Sequence, residues 1–362
     1  MEIIMKILHT ADLHLASPMN KSDLSGDAVI SRRNELTDTF IRMVDYAAQN
    51  GITAFIIAGD LFDTGRVPRK TVRYVRDVIA SHGGIEFFYL CGNHDGADLI
   101  AELSDPPENL FTFGEGWTAY RRGNTVITGR KTVDAGMYGE LKLASGDFNV
   151  VVLHGQESMV PGTGGDTVSI PMLAGRNIDY LALGHIHSFR VRDVDDRALM
   201  CYPGCPEGRG FDECGEKGFV VIDTEAGKKE MINFIPFAKR TLHEVKVSLG
   251  RSDLTLSEIC DKIDRAVAGI PGSDMVKLVL EGEIGADSEL DLRFIAKRLS
   301  DRFFFAKVKD RTALRIDLSD YEGDVSLKGE MIRVLSTMDR DEDLARDAAL
   351  TAIAALRGED VE

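Results

Sequence analysis

The chain has 362 residues, 44% hydrophobic and 28% charged, enough for one large domain and a smaller one, each with a sizeable core. Its formal net charge of −16 excludes a protein that holds nucleic acid through its overall field; such a role must rest on a local patch, a metal site or a partner. No apolar run approaches the roughly 18–20 residues needed to span a bilayer, and five cysteines without a CxxC pair fit reduced thiols of a cytoplasmic protein.

The opening "MEIIMKILHT" lacks the charged region, apolar core and cleavage site of a secretory signal. Within it "KILHT" reads as a buried strand. Leu36, Phe40, Val44 and Ala47 then recur at helical spacing before the next apolar run, "AFIIA". "RVPRKTVRYVRDVIA" is a helix with Val72, Val75 and Ile79 on the core side and Arg66, Arg69, Lys70, Arg73 and Arg76 along a basic stripe. "IEFFYL", "FNVVVL" and "DYLAL" continue the alternation to about residue 185, which predicts a layered α/β domain. Between residues 189 and 237, "LMCYPG", "GFVVID" and "MINFIPF" predict a second sheet. "CYPGC" with Cys214 reads as loop thiols rather than a zinc corner.

Composition changes after residue 240. Val245, Val247 and Leu249 alternate, Leu256, Ile259 and Ile263 are helical, "MVKLVLEG" is a strand, and Leu292, Ile295 and Leu299 are helical. "FFFAKVKDRTALRID" is expected as a hairpin. Residues 1–240 therefore read as one domain and 241–320 as a small α+β domain. Residues 321–362 form a tail of two amphipathic helices, with Leu327, Met331, Leu335 and Met338 followed by Leu344, Ala348, Ile353 and Leu356. "DRDED" supplies the turn between them and an acidic first turn.

Each of the five apolar runs in the first domain ends in groups that bind metals. "KILHT" leads to Asp12 and His14, "AFIIA" to Gly59-Asp60, and "IEFFYL" to Gly92-Asn93-His94-Asp95. "VVVL" ends in His154, and "LAL" in Gly184-His185-Ile186-His187. A turn accounts for the Gly and the Asn of Gly-Asn-His-Asp, but not for His94. Ligands of open α/β sheets gather beyond the carboxyl ends of the strands. Those ends would bring Asp12, His14, Asp60, Asn93, His154, His185 and His187 into one crevice. Imidazole, carboxylate and amide-carbonyl donors together suit Mn, Fe or Zn better than Mg or Ca alone. Seven donors are too many for one ion and suit two that share a carboxylate.

D-x-H, GD, GNHD, a later H and GHxH, in that order, resemble the calcineurin-like metallophosphoesterase superfamily. The resemblance implies a two-sheet α/β sandwich with a dinuclear metal centre. Asp12, His14, Asp60 and His187 would hold one ion, and Asp60, Asn93, His154 and His185 the other, with Asp60 as the bridge. Such a centre activates water and draws charge off phosphoryl oxygens. His94 matches the superfamily's non-ligand histidine, which protonates the leaving oxygen or stabilises the transition state. Asp63, in "GDLFD", matches the aspartate that orients that imidazole in many members, through an ion pair that would raise its pKa. Archaeal and eukaryotic repair nucleases of the superfamily carry a His there instead.

Phosphoprotein phosphatases of this superfamily clamp a monoester dianion with arginines, at positions where this chain has Thr64 and Cys91. A diester carries less charge, so the substitutions favour a diesterase. "MKILHTADLHL" and "GDLFDTG" resemble the SbcD-type bacterial DNA-repair nucleases, and "YPGCPEGRGFDECGEKGFVVID" the YhaO-like branch of that group; together the similarity covers roughly residues 5–223. The family start aligns with Met5, so residues 1–4 read as a start-site extension. The small domain matches their cap in position and class. The resemblance implies a manganese-dependent DNA exo/endonuclease for end processing and repair, with an SbcC-type coiled-coil ATPase as partner, and it allows a homodimer. The basic stripe is then either a phosphate-tracking strip or a solvated face. The tail helices either pack on the cap or dock the ATPase. Two other functions stay open. One is a diesterase for a small or cyclic nucleotide, which needs neither cap nor docking tail. The other is a non-catalytic scaffold on a degenerate fold, which the intact ligand set disfavours.

Overall fold

The computed structural model describes residues 5–19, 24, 26–63, 67–95, 105–161, 166–285, 288–315, 323, 325–338, 348–349 and 351–352. The chain divides into two compact units, Met1–Leu242 and His243–Glu362.

Two six-stranded sheets build the first unit. In one, Lys6–Thr10, Ala54–Ala58, Glu86–Leu90 and Leu110–Thr112 run parallel in that order, and Gly218–Asp223 and Ile232–Pro236 complete the other side antiparallel. In the other, Leu199–Tyr202, Tyr180–Gly184, Phe148–His154 and Thr125–Gly129 run parallel, with Arg190–Asp193 and Thr118–Arg122 as antiparallel edges. The sheets meet across a fully buried layer that includes Ile7, Ile56, Phe88, Val150, Val152 and Ala182. Helices Asp27–Gln49 and Arg69–Ser81 cover the outer face of the first sheet, packing Phe40, Val44, Val72, Val75 and Ile79 with Leu8, Phe55, Ile57 and Phe87. The short helices Met137–Glu140 and Ile170–Leu173 cover the second, with Tyr138 and Leu173 against Val151, Leu153 and Leu181. Central strands covered on both faces read as unbroken apolar runs. "AFIIA" is buried at all five positions for that reason.

The region from 189 to 237 does not form a sheet of its own. Leu199–Tyr202 joins the second sheet, whereas Gly218–Asp223 and Ile232–Pro236 return to the first, beside Lys6–Thr10. Phe219 enters the helix-covered core while Val220 and Ile222 enter the layer between the sheets. A strand with an apolar demand on both faces fits next to Lys6–Thr10 and not on an exposed extra sheet.

In the second unit a three-stranded sheet of Leu242–Leu249, Met275–Gly285 and Phe305–Arg315 packs with helices Leu256–Ala266 and Leu292–Arg302. Thr255 and Glu258 close a capping box on the first helix, and Asp291 caps the second through the Phe294 N–H. The expected hairpin is instead one strand, Phe305–Arg315, parallel to Met275–Gly285 along its whole length. Asp310-Arg311 lacks the Gly or Asn that a tight hairpin turn demands, and the preceding helix supplies the crossover to a parallel partner. Leu327–Met338 is helical, with Ile332 buried. Of the second tail helix, Ala348 has helical backbone, while Leu344, Ile353 and Leu356 lie outside the described residues. Among the described residues no helix is long and apolar enough to cross a membrane.

Candidate metal centre

Five parallel strands deliver the candidate donors. Asp12 and His14 follow Lys6–Thr10, Asp60 follows Ala54–Ala58, Asn93 follows Glu86–Leu90, His154 ends Phe148–His154, and His185 and His187 follow Tyr180–Gly184. The chain turns sharply there. Asp12, His14, Asp60 and His185 have φ of 55°, 47°, 52° and 101°. Side chains with a Cβ avoid this left-handed region, and strain held at several positions of one place marks a functional site. Cross-loop hydrogen bonds hold it: Asp12 N–H donates to Gly59 O (3.0 Å), His14 N–H to Asp60 O (3.0 Å), His94 N–H to Asp60 Oδ1 (2.9 Å) and His185 N–H to Asp12 Oδ1 (3.0 Å). Gly59 and Gly92 are needed for close approach. A Cβ at Gly59 would lie 2.1 Å from His154 Nδ1, and one at Gly92 2.3 Å from Asp60 Oδ1.

The donor atoms converge. His14 Nε2 lies 3.3 Å from His187 Nε2 and 3.8 Å from Asp60 Oδ2, and His187 Nε2 lies 3.9 Å from Asp12 Oδ1. On the other side His154 Nε2 is 2.9 Å from Asn93 Oδ1 and 3.4 Å from Asp60 Oδ2, with the His185 ring 5.4 Å from the His154 ring. His154 Nδ1 meets the Ala58 carbonyl at 2.9 Å, which makes Nδ1 the donor and turns Nε2 toward Asn93. Asp12, His14, Asp60 and His154 are buried.

These residues fit divalent cations. Among the described residues the only ion-pair partners of the buried Asp12 and Asp60 carboxylates are imidazoles; no Lys or Arg reaches them. Burial alone would raise Asp60, but His154 and His14 hold it down at about 2. Burial would likewise lower His154, yet Asp60 and Asp12 push it up to about 9. The pocket therefore has an excess of buried negative charge that recruits a proton where a metal would serve. Burial holds His14 and His185 below the usual imidazole range, which keeps them neutral, the form that binds metal.

His94 and Asp63 are arranged differently from the expectation. The exposed His94 ring stands edge-on to His14 at 5.0 Å, and its Nδ1 donates to the Asp63 carbonyl at 3.1 Å. The Asp63 carboxylate lies instead 3.1 Å from His14 Nδ1 and accepts from Arg209 Nη1 at 2.7 Å. The expected ion pair with His94 is thus not formed, because two inward groups claim the carboxylate. Burial would raise Asp63, but His14 and Arg209 hold it low. On helix Arg69–Ser81, Arg69, Lys70 and Arg73 are exposed, whereas Arg76 is folded onto Asp77 and Asp105. Arg66 lies outside the described residues.

Three further residues escaped the sequence reading. Asp95 is buried and accepts from the N–H groups of Phe62 (2.7 Å), Gly92 (2.8 Å) and Leu61 (3.3 Å), stapling two donor loops together. Burial pushes its carboxyl up to about 6. Glu213 Oε1 accepts from His187 Nδ1 (2.7 Å) and Arg209 Nη2 (3.0 Å), so it sits behind the donors. Burial would raise Glu213, but the His187 hydrogen bond and the Arg209 charge hold it well below the carboxylate range. Asp95 was visible as the last letter of GNHD. Nothing in one sequence shows that the loop carrying Arg209 and Glu213 folds behind His187.

The family model for calcineurin-like phosphoesterases matches residues 5–189, just over half of the chain. The chain belongs to the calcineurin-like phosphoesterase family. Within it, the chain is 26% identical over 241 residues to the uncharacterized metallophosphoesterase YhaO of Bacillus subtilis, covering 62% of this chain and 58% of that one. It is 27% identical over 248 residues to the DNA double-strand break repair protein Mre11 of Sulfurisphaera tokodaii, covering 60% and 59%. It is 24% identical over 278 residues to a subunit of the SbcCD nuclease of Escherichia coli K12, covering 63% and 67%. The chain thus spans about three fifths of the length of the first two relatives. In this calcineurin-like phosphoesterase, two groups of donors, Asp12, His14 and His187 and Asp12, Asp60 and His154, each have ligand atoms within 4.8 Å of one another. That arrangement fits a dinuclear divalent-metal site.

Proposed function

We propose that the chain is a two-metal phosphodiesterase that cleaves DNA, a cytoplasmic nuclease subunit for end processing and repair that works with a coiled-coil ATPase of the SbcC type. One observation carries the diesterase reading. The arginine at the centre, Arg209, is committed to Asp63 and Glu213 behind the donors and is not available to clamp a monoester dianion. The DNA part is supported by the likeness to the Mre11 double-strand break repair protein and the SbcCD nuclease subunit, and the ATPase part by the resemblance of the sequence motifs to SbcD-type nucleases.

Asp12, His14, Asp60 and His187 would hold one ion, and Asp60, Asn93, His154 and His185 the other, with manganese the first choice over iron or zinc. Bound there, the ions supply Lewis acidity and an activated water. The protein's own part is orientation and proton transfer. Because a carbonyl only accepts, the Asp63 oxygen fixes one His94 proton on Nδ1, so a proton for a leaving oxygen would come from Nε2 of the doubly protonated ring. Exposed Arg69, Lys70 and Arg73 supply a short phosphate-tracking strip. The helix Leu327–Met338, with Met331 and Leu335 half-buried, is the docking candidate for the ATPase.

The deciding assay compares linear, circular and hairpin DNA with a small chromogenic diester and a monoester, in manganese and with a chelator. Metal-dependent loss of linear or hairpin DNA is expected, with the monoester untouched. Hydrolysis confined to the small diester overturns the nuclease reading in favour of a small-nucleotide diesterase, and preferred monoester hydrolysis overturns the diesterase reading.

A further inference from the structure

We propose that Asp63, Arg209 and Glu213 form one charged relay that fixes the tautomers of His14 and His187, so that both Nε2 lone pairs face the same ion. The inference rests on the metal-centre reading and names residues behind the donors as positioning residues for it.

The geometry leaves little choice of proton placement. An ionised carboxylate only accepts, so the 2.7 Å contact between Glu213 Oε1 and His187 Nδ1 requires the proton on Nδ1. Asp63 Oδ1 lies 3.1 Å from His14 Nδ1, off the line of a hydrogen bond but close enough to favour a proton on that nitrogen electrostatically. In neutral rings Nε2 is then the nitrogen left to bind metal, and the two Nε2 atoms face each other at 3.3 Å. Two lone pairs at that distance repel unless a cation lies against both. Without the carboxylates, either ring could move its proton to Nε2 and bond to the other, which would close the site to metal.

Arg209 makes the two carboxylates a unit. Its Nη1 donates to Asp63 at 2.7 Å and its Nη2 to Glu213 Oε1 at 3.0 Å. Nη2 also lies 3.4 Å from His187 Nδ1, as expected of two donors sharing one oxygen. The guanidinium offsets the second buried negative charge and fixes the spacing of the two acceptors. Other contacts anchor the frame. The Arg209 N–H donates to Glu213 Oε2 at 2.7 Å, and Lys217 Nζ donates to the His187 carbonyl at 2.6 Å. Partners of this kind behind a metal-bound imidazole set its orientation, and losing one costs roughly 10–100-fold in metal affinity.

The test reads tautomers and metals separately. In metal-free protein, nitrogen-15 NMR of the histidine rings should find His14 and His187 protonated on Nδ1. Glu213→Met should move His187 toward the Nε2–H form and leave His14 unchanged. Manganese titration of that variant should then find one of two sites weakened about 10–100-fold and the other retained. Glu213→Gln keeps an acceptor and the side-chain volume; it should retain the His187 tautomer and lose less affinity. An Nε2–H tautomer of either ring in the wild type, or a Glu213→Met protein with unchanged tautomer and unchanged affinity, overturns the relay. If Glu213→Met does not fold, the wild-type tautomers and the Glu213→Gln titration decide. A wild type with the expected tautomers that binds no transition metal refutes the metal-centre reading and leaves the proton placement standing.

Discussion

Asp60 carries more of the site than any neighbour. Its Oδ2 faces His14 and His154, its Oδ1 accepts the His94 N–H, its carbonyl accepts the His14 N–H, and its own backbone is left-handed. If it bridges two ions, Asp60→Ala should lose both, not one. Metal analysis of the purified variant checks this, and two ions bound at wild-type affinity would remove Asp60 from the bridge. His94 makes the opposite prediction. It touches the Asp63 carbonyl and stands edge-on to His14, beyond the expected ligand count. His94→Gln should keep both metals and lower turnover roughly a hundredfold; near-normal turnover in the metal-loaded variant would make it structural. The candidate donors were legible because each lies at the exit of a largely apolar run, and a polar pair at such an exit has no packing reason. Asp63 was legible as a residue but not as a contact, since its carboxylate is claimed by His14 and by Arg209, 146 positions away in the chain.

At the scale of elements, periodicity located the buried helices and the central strands and failed where a choice of partner decided. Val72, Val75 and Ile79 lie on the buried side of helix Arg69–Ser81, as their spacing requires. Gly218–Asp223 and Ile232–Pro236 were legible as strands, but which sheet they join is set by the cores on either side of Lys6–Thr10. Phe305–Arg315 reads as a hairpin in sequence because a polar pair interrupts it, although that pair keeps its register opposite Leu280 and Glu281. The basic stripe on the Arg69–Ser81 helix is shorter than its sequence suggested, since Asp77 and Asp105 neutralise Arg76. Replacing Arg69, Lys70 and Arg73 together with Gln should weaken DNA turnover and flatten its salt dependence by about three counterions at most, while small-diester turnover stays within about twofold. Adding Arg76→Gln should change little further. Equal loss on both substrates would mean that the helix supports the fold rather than DNA.

At the scale of the whole first unit, the sandwich places a titratable group where water does not reach. His9 lies on Lys6–Thr10 of one sheet, fully buried, and its Nδ1 meets the Tyr180 hydroxyl of the other sheet at 2.8 Å. Burial pushes this imidazole down to about 3 from an ordinary 6.5. The unfolded chain therefore takes up a proton below pH 6.5 that the folded chain refuses until about pH 3. The His9 contribution to stability is therefore complete well above pH 6.5 and is lost as pH falls toward 3. Well inside that window each unit of pH costs about 1.4 kcal/mol, so acidification from pH 6.5 to 4.5 removes about 2 kcal/mol through this residue alone. Carboxylates and other groups also contribute to acid unfolding, so the useful quantity is a difference between variants. Denaturant unfolding in a chelator, repeated from pH 7.5 to 4.5, should give His9→Gln a lower stability than wild type at neutral pH and a shallower decline in acid. Tyr180→Phe should lower stability while keeping the wild-type slope, because it removes the hydrogen bond and leaves the buried imidazole. Parallel declines in wild type and His9→Gln would mean that water enters between the sheets and protonates His9 without unfolding them.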